Sequence, residues 1–429
     1  MVKGVLMTNT DYKLKPFRFW CQKVLPLVYD DSLSYYELLC KVVDYINNLM
    51  KDMTEAEEAI VALDNYVKNY FANLDVQDEI DNKLDEMVAD GTLTAIIAQY
   101  MDELILPSTH DTTDRTAEIY ALLSTKGVCR LGTGDFYVSN LNMIPESSLI
   151  GSGNQTRIVL SGTGDGYAVR LATGSHVESL AMTGSLTNLS GFGINPGGRH
   201  GIEWVGSYSV DGSCPKRGYV RNVHIQNFNG GGIYMYDTGF DPEASLMVSD
   251  TYIRWCWAGI YNRYWSEYSK FVNVKCGGCR IGCYNNGGNN VFTNCDFSMN
   301  EEINLLIYNP NNEMMNIGHG TFSSCLFNHP YSGGVANSGV AISIVGNPNG
   351  EIFTGCSVYF GRIEITNSDG IVFDGMNYGY SNCDIVVSGG GLVLFSNMQM
   401  QGAVTKTITN NEHVVFSNCY IRSTGAAYT

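Results

Sequence analysis

No stretch of this 429-residue chain stays apolar for anything near 18 residues, which excludes a membrane-spanning helix. Charge is scarce as well: 16% of residues are Asp, Glu, Lys or Arg, and 26 basic side chains face 43 acidic ones. The net charge of −17 argues against nucleic acid as a partner and leaves any polyanion dependent on local basic patches. No secretory leader opens the sequence, so its 13 cysteines, scattered singly, are expected as thiols of a chain folded in a reducing cytosol. Cys276, Cys279 and Cys283 are closely spaced, but no histidine cluster or second C-x-x-C completes a zinc site, and no metal is expected. The glycine runs at Gly132 and Gly162–Gly166 lack the lysine and the following helix of a phosphate loop, so no nucleotide or other cofactor is expected.

What is present is glycine (47), tyrosine (27) and phenylalanine (17), the material of many short strands and tight turns. One phrase recurs: Phe292-Thr-Asn-Cys-Asp-Phe297, Phe322-Ser-Ser-Cys-Leu-Phe327, Phe353-Thr-Gly-Cys-Ser-Val358, Phe373-Asp-Gly-Met-Asn-Tyr378, Phe395-Ser-Asn-Met-Gln-Met400 and Phe416-Ser-Asn-Cys-Tyr-Ile421. With degenerate copies at Val220, Val248 and Phe271, the starts fall 20 to 31 residues apart. That period, built from β-prone blocks, predicts stacked coils of a parallel β-helix, since no copy buries its apolar side alone. Phe292, Cys295 and Phe297 are expected inward, with Cys295, Cys325 and Cys356 stacked one rung apart as thiols. A second phrase, Ile260-Tyr-Asn262, Cys283-Tyr-Asn285, Ile307-Tyr-Asn309, Ile365-Thr-Asn367 and Ile408-Thr-Asn410, closes a second strand per coil. Its asparagines are expected to form a structural ladder, because Asn tolerates left-handed backbone.

The front of the chain follows other rules. Asp31 is a candidate N-cap, and from Leu39 to Leu74 apolar residues recur at alternating spacings of 3 and 4. Five such heptads predict a coiled coil, with Ile46, Ile60 and Val67 at one seam position and Leu49 and Leu63 at the other. Residues 31–105 hold 17 acids against 4 bases, whereas residues 1–30 hold 5 bases against 2 acids. The latter, with Phe17, Arg18, Phe19 and Trp20, are expected as an arm ordered on a partner. The predicted organisation is an arm (1–30), a helical module (31–105), a linker with a capping helix (106–127) and a β-helix (128–429). In the capping helix, Ala117, Tyr120, Ala121 and Ser124 are the expected inner face.

Three of the five tryptophans fall within 11 residues, among Trp255, Trp257, Tyr261, Tyr264, Trp265 and Tyr268, one coil after Tyr234 and Tyr236. Aromatic faces suit sugar C–H surfaces, and Tyr and Trp carry polar tips for hydroxyls. Tyr261, Tyr264, Trp265 and Tyr268 are the candidate glycan-binding residues; Trp255 and Trp257 are the candidates for core or an intersubunit seam. A glycoside hydrolase needs two carboxyl groups roughly 5–9.5 Å apart. Asp237, Asp241 and Glu267 are the candidates, with Asp296, Glu301 and Glu302 further along.

Two resemblances follow from these residues. The helix Asp114–Gly127, followed by Val128–Leu131, Gly134–Val138 and Ser148–Gly153, resembles the opening of the pectate-lyase-like superfamily, in its phage tail-spike and depolymerase branch. This implies a mainly β fold, a right-handed parallel β-helix preceded by the α-helical coiled-coil module. Lys15–Lys41, Asn69–Met87 and Asp90–Leu93 resemble the N-terminal module of neck appendages, tail spikes and fibres of tailed phages of Gram-positive bacteria. That resemblance implies a homotrimeric virion component, assembled in the host cytoplasm and attached to a phage neck or tail protein through Phe17, Arg18, Phe19 and Trp20. Its β-helix would then meet host cell-wall glycan or teichoic acid. Adhesion, depolymerisation and a purely structural spike or collar role all fit such a chain.

Overall fold

The computed structural model describes residues 105–429 apart from 163–164, 186–197, 206–216, 240–244, 310–317, 330–338, 380–382 and 402–403. Ahead of them it describes residues 34, 37–43, 62–65, 67–68 and 87. The chain divides into two compact units, Met1–Met101 and Asp102–Thr429.

In the first unit residues 37–43 are helical and Ser34 caps them, while Asp31 lies outside the described residues. Ser34 Oγ accepts from the Glu37 N–H at 3.3 Å, while the Ser34 N–H donates to Glu37 Oε2 at 2.8 Å. This reciprocal capping box satisfies two donors that the first helical turn leaves over. Among the described residues the buried side chains are Leu38 and Val42, one helical turn apart. Leu63 and Val67 are helical and half-buried. The remaining seam residues Ile46, Leu49 and Ile60, and the arm residues Phe17, Arg18, Phe19 and Trp20, lie outside the described residues.

The second unit is a parallel β-helix. Every pairing between its strands is parallel, as in Phe292↔Phe322, Phe322↔Phe353 and Phe353↔Phe373. A long sheet carries the phenylalanine phrase, and a second sheet of eleven strands runs from Leu141–Asn142 to Val404–Thr409. The phrase works by a backbone device. Phe points inward and the next residue outward; then Asn273, Asn294, Ser324, Gly355, Gly375, Asn397 and Asn418 adopt φ between 52° and 64°. That left-handed step bends the strand and returns the following Cys or Met to the interior. The bend asparagines chain together across coils, Asn294 Nδ2 to Asn273 Oδ1 and Asn418 Nδ2 to Asn397 Oδ1, both 2.7 Å.

The interior is a column of stacked rings. From Phe271 through Phe292, Phe322, Phe353, Phe373 and Phe395 to Phe416, successive centroids lie 4.5 to 5.0 Å apart, with planes within 15° of parallel. The rung spacing of a parallel sheet sets that distance. The ten described cysteines are thiols. Those of the phrase donate to the Phe carbonyl one coil back: Cys325 to Phe292 at 3.5 Å, Cys356 to Phe322 and Cys419 to Phe395 at 3.3 Å. The second asparagine set divides. Asn367 and Asn410 are left-handed, at φ 47° and 55°, whereas Asn262 and Asn285 turn into the core and bond to each other at 2.8 Å.

The helix Thr116–Lys126 packs Ile119 and Leu123 into the first coils and ends at Gly127, φ 70°, whose N–H bonds to the Leu123 carbonyl. Tyr120 is 45% exposed, so the inner face is not the expected Ala117, Tyr120, Ala121 and Ser124. Two branched aliphatics four residues apart bury more apolar area than two alanines and a serine, and they decide the rotation.

Candidate functional site

The outer face of the second sheet is built from one alternation. Ile202, Ile233, Ile260 and Cys283 enter the core, so the next residue of each strand must point out. The register places Arg170, Glu203, Tyr234, Tyr261, Tyr284 and Leu306 in one outward row across six coils. In the same strands Tyr236 and Tyr308 also point outward, 39% and 44% exposed.

Tyr234 is the centre of this face. Its ring stacks on His200 at 4.0 Å, runs near-parallel to Tyr236 at 6.3 Å and meets Tyr261 at 5.2 Å. Arg263 hydrogen-bonds to the Tyr234 side chain, and its guanidinium lies 5.8 Å from the Tyr236 centroid. His200 is buried, and its Nδ1 accepts the Gly231 N–H at 2.9 Å. Burial pushes that imidazole down to about 3, so it is a neutral spacer under Tyr234 rather than an acid or base. At the upper end Arg170 covers the Tyr167 ring at 4.2 Å and donates to Glu203 at 2.7 Å.

Trp257, Ala258, Tyr261 and Ile281 close into a small apolar cluster separate from the main core, with Tyr234, Tyr284 and Leu306 packed against it. Tyr261 is therefore buried, and burial pushes its phenol up to about 12; it supports the face from below instead of presenting a ring to solvent. Tyr268 is half-buried at a corner, φ 58°, with its N–H on the Gly288 carbonyl. Glu267 is buried beside it: Oε2 accepts from Asn289 Nδ2 at 2.9 Å, and Oε1 has no partner. Tyr264 and Trp265 lie in the strand Ala258–Ser266 and Asp237 in Gly231–Gly239, but their side chains, and Asp241 altogether, lie outside the described residues.

Sequence reasoning missed Tyr284, Tyr308 and Arg263 as members of this face. The signal was available in the second phrase, since the central Tyr of Ile-Tyr-Asn sits between two inward residues. It also offered Trp255 as core or an intersubunit seam, and of these the core placement does not hold. That residue takes φ 52°, which breaks the alternation with Trp257, and Trp255 stands 43% exposed.

Chemically the face offers flat rings, phenol hydroxyls and the guanidinium of Arg263. Its glutamates Glu203 and Glu364 are held by Arg170 and Arg362, so neither is a free acid. Among the described residues no group of His, Cys, Asp and Glu is arranged to hold a metal ion.

No family model and no curated protein matches the sequence. Solved structures do. The A-module of a mannuronan C-5 epimerase from Azotobacter vinelandii is 13% identical, over 73% of this chain and 93% of that one, with a TM-score of 0.49. The enzymatically active domain of tailspike protein 2 of bacteriophage CBA120 is 16% identical, over 72% of this chain and 45% of that one, at 0.44. The ORF18 protein of Geobacillus virus E2 is 16% identical, over 76% and 65%, at 0.40. The chain spans less than half the length of the tailspike domain it matches.

Proposed function

We propose that this chain is a phage virion appendage that adheres to host cell-wall glycan through the outer face of its second sheet. The observation that carries the reading is the exposure of Tyr236, its ring near-parallel to Tyr234 at 6.3 Å, and of Tyr308 further along the same face, with Tyr234 packed against the cluster of Trp257 and Tyr261. Rings pre-set by packing lose little freedom when a sugar lies on them. Coils repeat at about 4.8 Å, so a face running along the helix axis presents similar contacts at each step to a chain polymer. The resemblance of residues 15–93 to virion-attaching modules supports the anchoring half of the reading.

Tyr236→Ala and Tyr308→Ala are expected to weaken binding to host cells by about 1 kcal/mol each, roughly fivefold, with little change in melting temperature. Unchanged binding by the double variant would remove this face from adsorption. Deleting residues 1–30 is expected to leave a soluble, folded oligomer that no longer joins virions. Incorporation of the truncated protein would end the anchoring role.

A second reading, depolymerase activity on teichoic acid or wall polysaccharide, draws on Glu267, a buried carboxyl whose Oε1 is unpartnered next to Tyr268. Incubation with host walls decides it: release of reducing sugar or glycerol phosphate that Glu267→Gln abolishes supports an enzyme, and no release leaves adhesion.

A further inference from the structure

The long sheet carries a different surface past the bend of each coil. There His224 and Gln226 of one strand face Tyr252 and Arg254 of the next, and these face Lys275 and Gly277 of the third. All point outward, since Ile225, Ile253 and Cys276 between them are buried. Gly277 is buried and contributes no side chain to the grid, so Arg254 and Lys275 are its cations.

Arg254 is held in place from two sides. Its Nε donates to Gln226 Oε1 at 2.9 Å, and its guanidinium carbon lies 3.9 Å from the Trp255 ring centroid. The Nη groups are left for a ligand. Trp255 reaches that position only through φ 52°. The same turn in neighbouring coils is made by Asn227, Gly278 and Met299, each also with positive φ. A tryptophan in left-handed backbone is strained, and strain of this kind collects at ligand sites. Lys275 is 56% exposed on the next strand and reaches Asp296 at 3.0 Å. Asp296 Oδ1 and His224 Nε2 on the same face are buried without partners. In a chain of net charge −17, a planar cation fixed by a hydrogen bond and a ring is placed against the overall field.

We propose that Arg254, mounted on Trp255 and flanked by Lys275 and His224, is an anion-recognising subsite for an oxyanion carried by a glycan chain. The shared chemistry is a carboxylate or a phosphodiester, which a guanidinium binds through paired N–H donors. It lies on the opposite sheet from the tyrosine face and stands or falls separately from it.

The test is calorimetric titration of the full chain with poly(glycerol phosphate), with polygalacturonate and with neutral dextran, at low and raised salt. Binding to one or both polyanions is expected, weakening with salt, and the stronger of the two identifies the oxyanion. Arg254→Gln is expected to weaken it by about tenfold or more, the loss of a charge-assisted contact. Trp255→Gly fits the turn, so the fold is retained while binding weakens because the guanidinium loses its platform. Ile352→Ala, an exposed position of the same sheet outside both faces, should leave polyanion binding unchanged. Failure of both polyanions to bind overturns the proposal. So does equal binding by Arg254→Gln, or an equal loss on Ile352→Ala.

Discussion

Phe322→Ala is expected to destabilise the β-helix by roughly 4 kcal/mol, near the upper range for truncating a buried aromatic. Phe322 has no exposed surface and lies mid-column, 4.5 Å from Phe292 and 4.9 Å from Phe353, with Phe327 edge-on at 6.0 Å. Its neighbours cannot close the hole. Phe292 and Phe353 belong to strands whose spacing the backbone ladder dictates, and the Cys325 and Cys356 thiols are bonded to carbonyls of that ladder. A cavity one ring deep therefore persists, and both its transfer and its packing cost are felt. Phe322→Leu should cost much less, about 1–1.5 kcal/mol, because it keeps most of the volume. Ile352→Ala is the control: it is 46% exposed on the adjacent strand and should stay within about 0.5 kcal/mol. Urea denaturation of the three variants checks the order. A loss below 1 kcal/mol for Phe322→Ala would mean that the coils slide together, and the column would then be filler rather than frame.

The repeat was readable because the coil demands it of particular residues. Phe fills the column, a residue tolerant of left-handed backbone makes the bend, and a small thiol or Met follows inward, so the phrase names three positions per coil. The tyrosine face was half readable. Tyr234 and Tyr236 stood out as a pair, but Tyr261 and Tyr284 look alike in sequence and differ in burial only because Trp257 and Ile281 close over the first. Trp255 defeated alternation, which assumes extended backbone; one residue at φ 52° reverses every inference drawn from odd and even positions. Asn262 and Asn285 were unreadable as core, since buried amides depend on partners supplied 23 residues away.

Stability is expected to fall as pH rises from about 4.5 to about 8, and Glu351 is the cause. It heads the strand Glu351–Thr354, opposite Gly320 and Ile371, and its side chain is turned inward and buried. Gly320, lacking a side chain, leaves the space that the carboxyl occupies in the preceding coil. Neither oxygen has a hydrogen-bond partner of good geometry. Burial pushes the carboxyl up to about 8, with the Gly320 N–H pulling weakly the other way. The buried Cys283 thiol, itself pushed up by burial, feels the Glu351 charge, and among the described residues no cation pulls the Glu351 carboxyl down. The unfolded chain releases this proton near 4.5 and the folded chain holds it to about 8. Between those values the unfolded state binds fewer protons, so each step up in pH favours unfolding, and outside them the contribution is flat. The ceiling on the loss is on the order of 4 kcal/mol, reduced by any water that enters on ionisation. Asp114 and Asp374, whose carboxyls are lowered, act in the opposite sense but at pH values below about 4, so the windows separate. Glu351→Gln keeps the shape without the proton, and its stability should match wild type at pH 5 and exceed it by 2 kcal/mol or more, roughly, at pH 8.5. Urea midpoints for both proteins across that range decide the matter. Parallel pH profiles would show that Glu351 is ionised and solvated in the folded chain, and that the interior between Gly320 and Ile371 is open to water.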